Sequence, residues 1–540
     1  MITGFNVGRA ILPAAAFLGG FLVLLPAATT SEVADATANN KPETVRALVL
    51  RHADVNAPQA DGTTALHWAA RWDNLETADL LIHAGADPKP ANRDGATPMF
   101  LAAQNGNAAM IEKLLKAGAD ANAPVLSHGE TALMMSARTG NVAAVKVLLD
   151  HGAQPNAKDT LRGTTAAMWA AEQGHASVIQ LLAEHGADLA AQSASITPLR
   201  RRGLGFAPLT AAGAKAGGTP APPKGGLTAL LFAIREGEID CVKVLVASHV
   251  DVNQPSVDSS SPLLVAVQNG YYDIASFLID HGANPNLANS KGWTPLYLAV
   301  KNRNPETTAL PAPSTDGVLD MIKILLDHGA NPNLRIKAAT EVHQGMTALW
   351  LKEEGATPLL RAALCGDLTV VKLLIAHGAD SLIPTSDHTT PLMVASGVGW
   401  ADGMLREYSE DQTIELIKLL LSLGADVNAA NDHGITALHG AGYKGANKAV
   451  QLLVDRGAKL DALDKGEDYG FGVSSVRMTP LNWAEGVPIG MSSAIYHTDT
   501  VELMSRLMTE RGIPVVKNSF HGQKSGDYNF GAPPPPDSSK

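Results

Sequence analysis

Residues 131–152 read TALMMSARTGNVAAVKVLLDHG, and this stretch contains the signals that decide the fold. Thr131 precedes a short Ala-rich apolar segment, which Gly140 interrupts. A second segment follows with apolar residues at helical spacing, and Gly152 stands where a helix C-cap is expected. The stretch therefore predicts two short helices that are separated by one glycine and ended by another.

The opening phrase of this stretch recurs along the chain. A variant of Thr-(Pro/Ala)-Leu-x-x-Ala begins at Thr64, Thr97, Thr131, Thr165, Thr228, Ser261, Thr294, Thr357, Thr390, Thr436 and Thr479. Most successive gaps are 33 or 34 residues, and the longer gaps indicate a repeat with an insertion. Because one such unit cannot bury its apolar face alone, the repetition predicts a stack of two-helix units with terminal caps. Residues 32–61 lack the phrase but keep a second-helix pattern, and they are predicted to form the N-terminal cap.

Two of the phrases resemble the ankyrin repeat signature Thr-Pro-Leu-His-x-Ala. They are Thr64-Ala65-Leu66-His67-Trp68-Ala69 and Thr436-Ala437-Leu438-His439-Gly440-Ala441. The resemblance extends over about 32–512 and implies an all-α ankyrin-repeat solenoid of about twelve β-hairpin/two-helix units, caps included. It also implies a concave face lined by hairpin tips and first helices, hydrogen bonds from the signature histidines to neighbouring repeats, and protein binding without catalysis or a cofactor.

Changes in the pattern divide the chain into segments. Residues 31–190 form a first block of repeats and residues 227–512 a second block, separated by a flexible basic insertion rich in Gly, Ala and Pro at 191–226. That insertion contains Arg200-Arg201-Arg202 and is either a docking point for an acidic partner or a solvated linker, the latter being usual for this composition. Further insertions lie near 302–317, 334–355 and 398–411, and residues 513–540 form a Pro-rich disordered tail.

The N-terminus has the layout of a targeting segment. Arg9 is the only charged residue before Glu32, and an apolar run from Ala10 to Leu25 is followed by small residues. This pattern predicts a signal peptide within 1–30 that is cleaved somewhere in 26–31, and hence a periplasmic or secreted protein. The alternative is an inner-membrane anchor through 11–28. The sequence contains no Asn-x-Ser/Thr acceptor site, which favours a bacterial envelope protein over a eukaryotic secreted one.

Several kinds of site find little support in the sequence. The net charge of −11 argues against a general nucleic-acid binder. Cys241 and Cys365 fall in different repeats and are expected to be free. Five histidines precede C-cap glycines at His151, His185, His281, His328 and His377. Because they lie a repeat or more apart, they are expected to complement helix dipoles and to bind no metal.

The resemblance also implies where a partner binds, namely at hairpin tips and at the ends of first helices. The positions are Asp61, Arg71, Trp72, Arg93, Asp94, Gln104, His128, Arg138, Lys291, Trp293, Lys301 and Lys444, to which we add Tyr271 and Trp400 from an inter-helix turn and an insertion. Trp72 and Trp293 are the strongest candidates, because exposed Trp and Arg are common anchors of interfaces.

The predicted function is that of an exported, monomeric scaffold that binds an unidentified protein, expected to be a cell-envelope protein. The insertions over 300–412 are a further candidate binding surface, unless they are loops that vary without function. One alternative is a small-ligand receptor or enzyme with a site built by these insertions, which a deep pocket with converging carboxylates or histidines would favour. Another is a secreted effector that acts in a host cell.

Overall fold

The computed structural model describes residues 31–126, 128–196, 224–304, 317–339, 351–400, 408–466, 477–487 and 495–517. It divides into two compact units, residues 1–120 and 121–540. The predicted N-terminal targeting segment, Arg200-Arg201-Arg202 and all but the first residues of the predicted tail lie outside the described ranges. None of the described helices combines the length and apolarity needed to cross a membrane.

The first unit consists of three helix pairs. Its helices are α1 (Glu32–Ala38), α2 (Pro42–Leu50), α3 (Ala65–Arg71), α4 (Leu75–His83), α5 (Pro98–Asn105) and α6 (Ala108–Lys116). The first helices α1, α3 and α5 pack side by side, and the second helices α2, α4 and α6 form a parallel row against them. The N-terminal cap therefore has both helices, including a first helix that no Thr-Pro phrase marks and that Ser31 caps through its side chain.

The second unit repeats the same arrangement nine times. Its elements are α7 (Ala132–Thr139), α8 (Val142–Asp150), α9 (Ala166–Glu172), α10 (Ala176–Glu184), β1 (Ser195–Ile196), β2 (Lys224–Gly225), α11 (Ala229–Glu236), α12 (Ile239–Ala247), α13 (Pro262–Asn269), α14 (Tyr272–Asp280), α15 (Pro295–Arg303), α16 (Val318–Asp327), α17 (Pro358–Cys365), α18 (Leu368–Ala376), α19 (Pro391–Ser396), α20 (Glu410–Ser422), α21 (Ala437–Lys444), α22 (Asn447–Asp455), α23 (Pro480–Ala484) and α24 (Thr498–Glu510). Odd-numbered helices pack on the next odd-numbered helix, and even-numbered helices on the next even-numbered one. The predicted all-α repeat fold is confirmed.

Threonine caps and glycine stops set the boundaries of the first helices. The Thr131 hydroxyl accepts a hydrogen bond from the Met134 N–H at 3.3 Å, which satisfies one of the donors that a helix N-terminus leaves unpaired. Gly140 ends α7 with φ of 76°, a left-handed conformation that suits a residue without Cβ. A Cβ at this position would lie 2.5 Å from the His175 ring, so both the conformation and the packing require glycine.

The histidines before the C-cap glycines bind their own helices. The Nδ1 of His151 donates to the Val147 carbonyl at 2.8 Å, one turn earlier in α8. His185, His281, His328 and His377 make the same bond at 2.7–2.9 Å. Each histidine therefore supplies a hydrogen bond to a carbonyl in the last turn of its helix, where backbone partners are missing. This role at the helix end explains why histidine recurs at this position.

Asparagines in the loops after the second helices link successive repeats. Asn156 donates its amide N–H to the Gly186 carbonyl at 3.1 Å, and its Oδ1 accepts the Asp188 N–H at 2.7 Å. The same pair of bonds is formed by Asn56 in the first unit and by Asn122, Asn253, Asn286, Asn333 and Asn428 in the second. These asparagine rungs hold the loops of neighbouring repeats in register.

The insertion at 191–226 leaves and rejoins the second unit at one place. Its ends form the antiparallel strands β1 and β2, in which Ile196 lies opposite Lys224. The Ala194 N–H donates to the Arg162 carbonyl at 2.7 Å, and the Val257 N–H donates to the Gly225 carbonyl at 3.3 Å. The two strands thus fill the gap between neighbouring hairpin tips, and α9 packs directly on α11.

Candidate functional site

In each unit, hairpin tips and first helices form one surface, which we call the first-helix face of that unit. Arg162 lies in the tip before α9, and its guanidinium pairs with the Glu172 carboxylate at 2.9 Å. The same guanidinium lies 5.4 Å from the ring centre of Phe232 in α11. A tip side chain therefore reaches the first helices of its own repeat and of the next one, as the resemblance implied.

In the first unit, this face carries an exposed aromatic group at the end of α3. Trp72 is 49% exposed, and its ring lies 6.1 Å from that of Trp68 in a stacked geometry. The Arg71 guanidinium lies 5.7 Å and 5.9 Å from the two ring centres. The Trp68 indole N–H donates to Gln59 Oε1 at 2.8 Å. Trp72, Trp68 and Arg71, which we call the Trp72 group, are thus held in place before any partner binds.

Two predicted residues of the first unit connect neighbouring tips. The Arg93 N–H donates to the Asp61 carbonyl at 2.7 Å, and the Arg93 guanidinium donates to the Ala60 carbonyl at 2.8 Å. The Asp61 carboxylate accepts the Thr63 N–H, and this bond holds the pKa of Asp61 below its usual value. Asp94 and Gln104 are exposed on the same face. Asp61 and Arg93 therefore have a structural role in addition to any role in binding.

The predicted anchor Trp293 differs from Trp72 in its surroundings. Its indole N–H donates to the Ala338 carbonyl at 2.9 Å, and the ring is half-buried. The Lys291 ammonium lies 4.4 Å from the ring centre, and the Lys291 carbonyl accepts the Lys337 N–H at 2.8 Å. Trp293 thus joins its own hairpin to the first part of the insertion at 334–355, which the sequence pattern did not reveal.

The remaining predicted residues of the second unit are spread along it. Arg138 is exposed, and its guanidinium lies 5.4 Å from the ring centre of Trp169. His128 is also exposed, while Lys301 is half-buried. Tyr271 is half-buried in an inter-helix turn and packs over Gly237, where a Cβ would lie 2.9 Å from its ring.

Trp400, near the start of the insertion at 398–411, belongs to an aromatic row at the far end of the second unit. Its ring meets that of Tyr443 edge to face at 6.1 Å, and the Lys444 ammonium lies 5.6 Å from the Trp400 ring centre. Tyr443 in turn contacts the fully buried Trp483 at 5.9 Å. The described contacts therefore join Arg71 with Trp72, Lys291 with Trp293, and Lys444 with Trp400. They also join Asp61 with Arg93.

A buried polar cluster, which the sequence pattern did not predict, lies between the insertions over 300–412. This Arg361 cluster consists of Arg303, Asn304, Glu353, Arg361, Asp367 and Tyr408. Arg361, in the middle of α17, is 1% exposed and pairs with the Glu353 carboxylate at 3.1 Å. A second guanidinium nitrogen of Arg361 donates to the Asn304 carbonyl at 3.4 Å. A signal for it exists in the sequence, because Arg361 interrupts the apolar run Leu359-Leu360-Arg361-Ala362-Ala363.

Asp367 forms the other half of the Arg361 cluster. Its carboxylate, fully buried, accepts hydrogen bonds from Arg303 at 2.7 Å, Asn304 at 3.2 Å and Tyr408 at 3.0 Å. Its second oxygen caps α18 by accepting the Val370 N–H at 3.2 Å. Both carboxylates of the cluster are thus neutralised by arginines, which is the chemistry of a structural clamp and not of a general acid/base pair. The clamp joins residues near one end of each of the three insertions over 300–412.

Metal and thiol chemistry find no support in the described ranges. Within them, no three His, Cys, Asp or Glu side chains are grouped so that they could hold a metal ion. Neither cysteine forms a disulfide, both are buried, and burial raises the pKa of the Cys241 thiol to about 12. A thiol with this pKa is almost entirely protonated at neutral pH and is a poor nucleophile.

Comparison with known proteins identifies the repeats. A family profile described as "Ankyrin repeats (3 copies)" matches residues 33–125, 122–193, 212–289, 230–336 and 317–402, and one described as "Ankyrin repeat" matches 387–432. Together these matches cover well over half of the chain.

Individual relatives are similar over shorter segments. Human neurogenic locus notch homolog protein 2 is 33% identical over 115 residues, which are 21% of this chain and 4% of that protein. The fowlpox virus ankyrin repeat protein FPV222 is 31% identical over 117 residues, 18% of this chain and 16% of the viral protein. The E3 ubiquitin-protein ligase KEG of Arabidopsis thaliana is 26% identical over 106 residues, 20% of this chain and 6% of the ligase. Because the chain spans only a small part of each relative, the similarity concerns the repeats alone.

Proposed function

The chain belongs to the ankyrin repeat family, and on this premise we propose that it is an exported, monomeric scaffold that binds a partner protein through its first-helix face and has no catalytic activity of its own. The observation that supports this proposal best is the Trp72 group. An indole that is 49% exposed, stacked on Trp68 and covered by a guanidinium has the composition of an interface anchor. Its fixed position means that little side-chain entropy is lost when a partner covers it.

Site-specific photocrosslinking in the cells that produce the protein tests this proposal. A benzoylphenylalanine replaces Gln104 or Arg138 on the first-helix face or, as a control, Lys116 on a second helix. We expect the first-helix positions to give the same protein adduct and the control position to give none. Equal labelling at all three positions, or no adduct at the first two, would contradict the proposal.

A matched pair of substitutions then tests the role of Trp72 within that adduct. Trp72→Ala removes the exposed indole, and Leu50→Ala removes an apolar side chain that is even more exposed, at 76%, at the end of a second helix. Truncation of an interface Trp costs about 2 kcal/mol or more, so we expect Trp72→Ala to abolish most of the Gln104 adduct. Leu50→Ala is expected to leave it unchanged. Equal yields from the two variants would remove Trp72 from the interface.

Export is the second part of the proposal and rests on residues 1–30. Their single positive charge, apolar run and small residues match the layout of a signal peptide. N-terminal sequencing of the mature protein is expected to find a new terminus within 26–31, with the protein in the periplasm or the medium. An intact N-terminus on a protein that stays in the membrane after an alkaline wash would establish the anchor through 11–28 instead. The expectation of a cell-envelope partner depends on export and fails with it.

A further inference from the structure

Charge in the second unit is divided between its two rows of helices. The nine first helices carry six Lys or Arg and two Glu, a net charge of +4. The nine second helices carry fourteen Asp or Glu and seven Lys or Arg, a net charge of −7. The whole chain has a net charge of −11, so the basic row stands out against the rest of the molecule.

The accessible part of this basic row lies between α7 and α15. Arg138 and Arg235 are exposed at equivalent positions near the ends of α7 and α11, and among the described residues neither forms an ion pair. Lys301 occupies the same position of α15 and is half-buried. Hairpin tips add Arg162 and Lys291 to the same face. Cations therefore occur in four of the five repeats that this part of the face crosses.

The acidic residues on this part of the face cancel only part of its positive charge. Glu172 is held by Arg162 at 2.9 Å, and that pair is neutral. Glu236, next to Arg235, is exposed and is the other carboxylate of these first helices. In the hairpin tips, Glu130 and Asp159 are buried and Asp258 is half-buried. Because the Arg138 guanidinium lies over Trp169 and the Lys291 ammonium over Trp293, aromatic rings position two of the cations without neutralising them.

We propose that the first-helix face from α7 to α15 binds an acidic, extended polypeptide segment of the partner. The inference rests on the proposed function, since it names the chemistry of the partner that the scaffold binds. Arginine side chains form paired hydrogen bonds with carboxylates, and a basic face attracts an acidic chain at long range. The acidic row of second helices repels the same chain, so the segregation of charge also determines which side of the stack is used.

The spacing of the repeats specifies the segment further. Neighbouring first helices pack about 8–10 Å apart. A chain in the polyproline II conformation advances about 3.1 Å per residue with three residues per turn, so every third side chain points to the same side and meets successive repeats. The four steps from α7 to α15 then correspond to about 12 residues. The segment is therefore expected to carry an acidic residue at about every third position.

Fluorescence anisotropy with labelled peptides on the full chain tests the proposal. The probe is a peptide of about 13 residues with Glu at every third position and Gly or Ser between. An isomer with the same glutamates placed consecutively controls for charge alone. We expect the periodic peptide to bind several times more tightly than the isomer, and binding of both to weaken as salt is added.

Charge-reversal variants locate the binding. Arg138→Glu combined with Arg235→Glu is expected to weaken binding of the periodic peptide about tenfold or more. Lys146→Glu combined with Lys243→Glu makes the same change of charge on second helices and is expected to alter the affinity less than about twofold. An equal loss in both variants would overturn the proposal, as would equal affinity for both peptides or tighter binding of single-stranded DNA or phosphatidylserine vesicles. Photocrosslinking reports whether any protein occupies the face, so the two proposals fail in different experiments.

Discussion

At the scale of single residues, His67 and His439 show how the repeat signature works. Nδ1 of each ring accepts the backbone N–H of its own threonine, Thr64 or Thr436, at 3.1 Å. The proton therefore lies on Nε2, which donates to a carbonyl of the next repeat, at Ala96 or Met478. The hydrogen bonds between repeats that the resemblance implied are confirmed. The bond that each Nδ1 accepts from its threonine N–H requires a neutral ring.

This requirement predicts a loss of stability in mild acid. Burial lowers the pKa of His439 to about 4, against an ordinary value of 6.5. His439 thus binds a proton less readily in the folded protein than in the unfolded chain. Its contribution to the free energy of unfolding is therefore fully present above pH 6.5 and is lost as the pH falls from 6.5 to 4. The full shift corresponds to about 3 kcal/mol.

Urea unfolding of the intact chain at several pH values from 7 to 4 measures this effect. His439→Gln keeps a hydrogen-bond donor and removes the titrating group, so we expect its stability to fall less steeply with pH than that of the unchanged protein. Two other histidines with a lowered pKa, the buried His67 and the half-buried His497, remain in both proteins and cancel from the difference. Parallel curves for the two proteins would show that His439 does not titrate in this range.

Some residues were predictable from the sequence because their signals are local. The threonine caps and the glycine stops act within one helix, and each was found from a few neighbouring residues. The burial of Arg361 was not, because its contacts include Asn304, 57 residues away across two insertions. The half-buried state of Trp293 was missed for the same reason, since Ala338 lies 45 residues further along.

At the scale of elements, the insertions are attached to the stack in two ways. The insertion at 191–226 is closed by the short strands β1 and β2. Those over 300–412 are each held near one end by residues of the Arg361 cluster. The sequence indicated where the insertions lie, because the spacing of the threonines changes there. It could not show how they are held, since pairing of strands and of buried charges joins segments that are distant in sequence.

The strand pair predicts that most of the first insertion can be removed. Ile196 lies directly opposite Lys224, so an Asn-Gly turn in place of residues 197–223 forms a two-residue hairpin. We expect the thermal midpoint to change by less than about 3 °C. A variant that lacks 195–225 also loses the bond between Val257 and Gly225 and is expected to melt earlier. If the Asn-Gly variant melts as early as the longer deletion, the segment contributes to the stack itself.

The Arg361 cluster predicts a large effect from a single change. Arg361→Met removes the guanidinium that pairs with the buried Glu353 carboxylate, which costs about 3–5 kcal/mol. Arg361→Met combined with Glu353→Leu removes both charges and is expected to recover at least half of that loss, measured by urea unfolding. If the double variant is no more stable than the single one, the pair does not act as a neutral clamp.

At the scale of the whole molecule, the chain is a series of repeats in two compact units. The threonine period runs from Thr97 to Thr131 without a change, although the boundary between the units lies at 120/121. The largest change in composition, at 191–226, lies inside the second unit, where α9 packs on α11. The period of the threonines thus predicts the repeats well. It does not predict the boundary between the two compact units, because that boundary depends on how side chains of neighbouring repeats pack.

Because each repeat packs mainly on adjacent repeats, a destabilising substitution is expected to affect only the repeats near it. Leu81 is fully buried in α4, which packs on α2, α3 and α6. Leu81→Ala is expected to cost about 2–5 kcal/mol and to speed hydrogen exchange in α1–α6, measured by mass spectrometry, because each repeat is stabilised by its neighbours. Exchange in α21–α24 is expected to stay as it is. A uniform increase along the chain would indicate that the repeats unfold as one cooperative body.

The residues that maintain the stack are separate from those that vary on its first-helix face. Threonine caps, glycine stops and asparagine rungs recur, whereas the position seven residues after the threonine is occupied by Arg71, Gln104, Arg138, Glu172, Arg235 or Lys301 in different repeats. The Arg71 and Arg138 guanidiniums lie over Trp68 and Trp169. Evolution or design can therefore exchange one recognition side chain at a time, and a new binding specificity need not be accompanied by a new fold.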